Sequence, residues 1–181
     1  MRTGPLLATA ALLLALAGCV PTGTGGSPSP SARATPVFAS DAEALAAAEK
    51  AYAAYLKVSD RLAQGGWKDV DSLAPYVRGA ALSTDLKTAD SLSSRSLKQI
   101  GTTTFDTPKL QGVDDRGDGT AVVTVYLCLD VSEVDVVGPD GASIVPASRQ
   151  SRVPLEVDVD NLRSTNFKIS RSDAWSGTDF C

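Results

Sequence analysis

The apolar residues of this chain change their period near Gln99, and that change restricts the architecture more than any other feature. Upstream they recur every three or four residues, the spacing of a helix with one buried face; downstream they alternate, the spacing of a half-buried strand. Ser40-Asp41-Ala42-Glu43 is a capping box, a serine with a glutamate three residues on, at the head of an alanine-rich run. Leu45, Ala48, Tyr52, Tyr55, Leu56, Ser59 and Leu62 then mark one face of a long helix, which Gly65-Gly66 end. Asp69 to Val77 reads as a short second helix limited by Pro75, and Leu82, Leu86, Ala89 and Leu92 as the face of a third.

Beyond the change of period, Ala121, Val123, Val125, Leu127, Leu129 and Val131 point one way, and Thr124, Tyr126, Cys128 and Asp130 the other. Turns are expected at Val113–Gly119 and at Gly138-Pro139-Asp140-Gly141, the latter between Val134–Val137 and Ser143–Val145. Val153, Leu155, Val157 and Val159 form the inward face of another strand, and Phe167 and Ile169 that of the last. Helices followed by antiparallel strands, each with one apolar face, predict an α+β fold with N-terminal helices packed on a curved antiparallel sheet.

The N-terminus carries a different kind of information. Arg2, an apolar run from Leu6 to Ala17 and the small residues after it read as a secretory signal over residues 1–18. The run is shorter than the roughly 20 residues a membrane-spanning helix needs. Leu16-Ala17-Gly18-Cys19 resembles the lipobox of bacterial lipoproteins. That resemblance implies cleavage before Cys19, lipidation of its thiol, and anchoring at the outer face of the cell membrane. Several acyl chains, at about 0.8 kcal/mol per buried methylene, hold far more firmly than one. Residues 19–37, rich in Pro, Gly, Ser and Thr, read as a lipidated flexible tether, and residues 38–181 as one domain.

With Cys19 assigned to lipid, Cys128 and Cys181 remain, and a pair of cysteines in an exported chain is expected to form a disulfide. It closes a loop of roughly 53 residues, worth about 4 kcal/mol in a chain-entropy treatment.

Order of elements and cysteine positions carry a further resemblance. The helix with Tyr52 and Tyr55, the segment ending Pro75-Tyr76-Val77, and the hairpin-rich sheet resemble the nuclear transport factor two-like (cystatin-like cone) superfamily. Tyr126-Leu127-Cys128-Leu129-Asp130 and the terminal Phe180-Cys181 are similar to small lipoproteins of high-GC Gram-positive bacteria. The superfamily includes isomerases, cyclases and dehydratases with tyrosines and carboxylates between helix and sheet. The resemblance therefore makes Tyr52, Tyr55, Trp67 and Tyr76 candidate pocket-lining residues, although the favoured reading is that they are amphipathic core residues whose polar tips reach the rim.

The chain has no histidine, which excludes imidazole-based triads and histidine metal sites. It has no C-x-x-C, Gly-rich phosphate loop or H-E-x-x-H. No cofactor or metal is expected, and no acidic residue is seen on the inward face of the strongest strand to act as a base. Glu156, Asp158 and Asp160 alternate along one strand and are expected to be a solvated face rather than a calcium site. Arg116-Gly117-Asp118 is taken as ordinary turn sequence. Loss of Arg2 with the signal reduces the 17 basic side chains to 16 against 21 acidic ones, a formal −5. That balance argues against nucleic acid and leaves membrane association to the acyl anchor. The expectation is an extracytoplasmic lipoprotein whose domain is a non-catalytic module binding a small apolar ligand or an envelope protein. The alternatives are a cone-fold enzyme using tyrosine and carboxylate acid–base chemistry, and a homodimeric structural lipoprotein.

Overall fold

The structure, a computed structural model, describes residues 35–162 and 166–181. The signal, the lipobox with Cys19, and most of the tether lie outside the described residues.

Helix α1 (Asp41–Gln64) starts as its capping box requires: the Glu43 amide donates to Ser40 Oγ (3.2 Å), and Glu43 Oε2 accepts from the Ala39 amide (2.8 Å). Ala44, Ala48, Tyr52, Leu56 and Asp60, four residues apart, form its most buried column, with Tyr55, Val58, Leu62 and Ala63 beside them. After Gly65-Gly66 the Asp69–Val77 segment departs from the helix expected of it. Only Val70–Leu73 forms a 3-10 turn, and Leu73 turns inward. Pro75 has no amide to continue a ladder, and Val77 instead bridges to Ile169.

Helix α2 (Gly79–Ser93) forms where expected and keeps its expected face in part: Ala89 is buried and Leu82 packs against the core. Ala81 and Ala89 are buried and Asp85, between them, is half-buried, whereas Leu86 is exposed. Small residues let α2 lie close against its neighbours, so the contact takes in Ala81 beside Ala89 and Leu82 and leaves Leu86 outside.

The strands are β1 (Lys98–Ile100), β2 (Thr104–Asp115), β3 (Ala121–Asp130), β4 (Asp135–Val137), β5 (Arg152–Asp160) and β6 (Lys168–Ala174). The main sheet is antiparallel throughout, in the order β2-β3-β5-β6, and β1 pairs with β4 in a separate two-stranded ribbon. The expected second hairpin is reduced to the bridge Val137–Ser143, because β4 spends its pairing on β1. Register shifts at Asp106/Lys109, Leu110/Gly112 and Asp158/Val159 add twist and curve the sheet towards the helices. The core lies between α1 and the sheet, where Tyr52 and Leu56 meet Val123, Val125, Leu127, Val157, Val159 and Ile169.

The sheet's other face is partly covered by the chain end. Tyr126 lies between Trp175 (ring centroids 4.8 Å) and Phe180 (5.9 Å), and Cys181 is disulfide-bonded to Cys128 with the two Cα atoms 5.6 Å apart.

Candidate functional site

The interior between helices and sheet is where a cone-like fold would hold a ligand, and aromatic rings fill it. Tyr52 is 2% exposed, packs edge-on against Phe105 (5.1 Å) and lies 5.8 Å from the Tyr55 ring. The Tyr55 hydroxyl donates to both carboxylate oxygens of Asp85 at 3.0 Å, joining α1 to α2. Burial raises the Asp85 carboxyl to about 6, against the lowering effect of the Tyr55 hydrogen bond. Burial, then the Asp85 charge, pushes the Tyr55 phenol far above its usual range; burial does the same to Tyr52.

A carboxyl near 6 beside a phenol has the makings of an acid–base pair. The two grooves that flank α1, of about 470 and 420 Å3, are not lined by Asp85, Tyr52 or Tyr55.

The four aromatic residues singled out from the sequence do not share a pocket. Tyr52 and Tyr55 are core, whereas Trp67 packs at the core's margin with its indole N–H buried and unpartnered among the described residues. Tyr76, 37% exposed, lines a groove of about 420 Å3 with Lys50, Ala51 and Phe167 on the far side of α1. The periodicity placed the tyrosines on α1 and Tyr76 beside a proline, but rings on separate elements need not converge.

Two carboxylates are buried against the sequence reading. Asp60 (7% exposed) accepts from Gln99 Nε2 (2.6 Å), Thr103 Oγ1 (2.7 Å) and the Thr103 amide (2.9 Å). Asp160 is 2% exposed and ion-paired with Arg78, so the expected solvated face of Glu156, Asp158 and Asp160 is corrected at its last member. Glu156 and Asp158 are half-buried and share Arg171 (2.5 and 2.8 Å), with Asp173 at 3.3 Å. Asp60 and the half-buried Asp85 each had a signal. Asp60 continues the four-residue column of α1, and Asp85 stands four residues from both Ala81 and Ala89.

A groove of about 470 Å3 runs between the C-terminal half of α1 and the segment Thr102–Phe105. Leu56 and Phe105 contribute apolar surface, Lys57 and Arg61 the cations, and Thr102–Thr104 the hydroxyls. No group of acidic or cysteine side chains among the described residues is arranged to hold a metal ion. No described helix is long and apolar enough to cross a membrane.

No protein-family model matches the chain, and no curated protein matches it. Solved structures similar to it include two extracytoplasmic fragments. The intermembrane space region of the chloroplast protein ARC6 shares 15% identity over 74% of this chain and 97% of its own, with a TM-score of 0.52. A periplasmic fragment of TraM shares 15% identity over 77% of this chain and all of its own, with a TM-score of 0.47. The likeness to the ARC6 region is one of fold: helices packed on a curved antiparallel sheet.

Proposed function

We propose that residues 38–181 form a non-catalytic protein-interaction module, a divergent member of the cone superfamily, held outside the cytoplasm by acyl chains on Cys19. One observation carries the module reading. Tyr52, Tyr55 and Phe105 occupy the space between helix and sheet where a ligand chamber would lie, so recognition falls to the surface. The Cys128–Cys181 disulfide suits an oxidising compartment. The fold likeness to an intermembrane space region also supports an extracytoplasmic setting.

Two measurements test the reading. With a clickable fatty acid fed to the native host, the parent chain takes up label and Cys19→Ala does not; label on the variant sinks the anchor. Native mass spectrometry of the protein from that host gives the bare protein mass after allowance for the anchor. A stoichiometric small-molecule adduct would return the domain to the ligand-binding class.

The raised carboxyl of Asp85 beside Tyr55 favours one other reading, an acid–base enzyme. That reading requires a substrate to part the packed rings. A small apolar ketone that shifts the Asp85 titration in NMR would support it; an unmoved titration removes it.

A further inference from the structure

The 470 Å3 groove beside α1 differs in charge from the rest of the molecule. The chain carries a formal −4, yet the groove presents Lys57 and Arg61, one turn apart on α1. Both are exposed, and neither makes an ion pair among the described residues, whereas Arg78, Arg152 and Arg171 all do. The one carboxylate in the lining, Asp60, is buried, and its oxygens are occupied by Thr103 and Gln99. Two free cations therefore face solvent over apolar surface from Leu56 and Phe105.

The wall opposite α1 is fixed in advance. Asp60 holds both the amide and the hydroxyl of Thr103, and Gln64 Nε2 donates to the Gly101 carbonyl (2.8 Å). Gly101 has φ +80°, and a Cβ there would stand 1.7 Å from the Glu133 carbonyl oxygen. A preformed wall reduces the ordering cost of binding.

The same wall leads into β2, the outermost strand of the main sheet. Thr107 has a positive φ (+49°) and Pro108 lacks an amide, so the regular edge beside the groove ends after Asp106. Only a short stretch is open to an added strand.

We propose that this groove docks an extended acidic segment of a partner protein. Its apolar side chains rest on Leu56 and Phe105, its carboxylates meet Lys57 and Arg61, and its backbone runs beside the start of β2. The volume falls within the range of about 300–1,000 Å3 typical of binding clefts. The proposal rests on the interaction-module reading and names the surface and partner chemistry for it.

The test uses the full chain as purified from its native host and fluorescein-labelled decapeptides read by anisotropy. The probes alternate Glu with Leu, Lys with Leu, or Glu with Ser. The Glu/Leu peptide binds, more weakly as salt is raised, and the other two do not. Lys57→Glu/Arg61→Glu weakens it about tenfold, since each exposed charge contact is worth up to about 1 kcal/mol. The double variant also gains the Lys/Leu peptide. Ala53→Trp, which fills the groove from an exposed position, removes binding with the charges intact.

Binding that survives both variants overturns the groove while leaving the module reading in place. Failure of the parent to bind the Glu/Leu peptide overturns the proposed partner chemistry. Sedimentation with phosphatidylglycerol vesicles, lost in the double variant while peptide binding persists, reassigns the cations to a membrane surface and overturns the proposal. A stoichiometric small-molecule adduct in native mass spectrometry is what defeats the module reading itself.

Discussion

Asp85 shows how a single side chain couples the helices to pH. Burial lifts its carboxyl to about 6, so the folded state binds its proton more tightly than the unfolded chain does. From this group alone, stability is greatest below the unfolded carboxylate value near 4, declines as pH rises towards 6, and stays reduced above it. Asp85→Asn should therefore melt higher than the parent at pH 7.5, with the difference shrinking towards pH 4. Equal melting temperatures across that range in a calorimetric pH series would remove the coupling. Gly101 makes a steric claim at the same scale. Gly101→Ala drives a methyl into the Glu133 carbonyl from a backbone with φ +80°, and should cost about 2 kcal/mol or more in urea unfolding. That φ and that contact depend on where β4 brings Glu133, so no local sequence pattern announces them.

At the scale of the element, α1 is the best-specified part of the chain. Its capping box, its four-residue column and its terminal glycines agree with one another, and the helix runs from Asp41 to Gln64. Ser40→Ala should cost about 1 kcal/mol, a few degrees in melting temperature, while leaving the fold intact. A change within a few tenths of a degree would show that tertiary packing, not the cap, sets the start of α1. Helix α2 was legible in extent and in part of its orientation, since Ala89 and Leu82 do face the core. Leu86 outranks Ala81 in hydropathy, yet close approach favours the small side chain, and Asp85 turns inward with it towards the Tyr55 hydroxyl. The short helix expected over Asp69–Val77 gave way to a 3-10 turn because Val77 finds its partner on β6.

At the scale of the whole molecule, the last residue is tied to the middle of the sheet. The Cys128–Cys181 bond and the Tyr126, Trp175 and Phe180 rings hold the chain end over the outer face. Cys181→Ser should lower stability by about 2–4 kcal/mol and shift Trp175 fluorescence as the tail lifts; an unchanged spectrum with full stability would mean the rings hold it unaided. The sequence by itself determined that helices precede antiparallel strands, the inward faces of β3 and β5, and the exclusion of histidine chemistry, while β1 and β2 went unread. These follow from side-chain period and inventory, which are local. Only the tertiary structure decided that Trp67 and Tyr76 part from Tyr52 and Tyr55, that Asp60 and Asp160 are buried and Asp85 half-buried, and that Lys57 and Arg61 stand over a groove with no ion pair among the described residues. Those outcomes depend on which surfaces meet across long stretches of chain, where a hydrogen-bonded partner or a close-fitting alanine decides burial ahead of hydropathy.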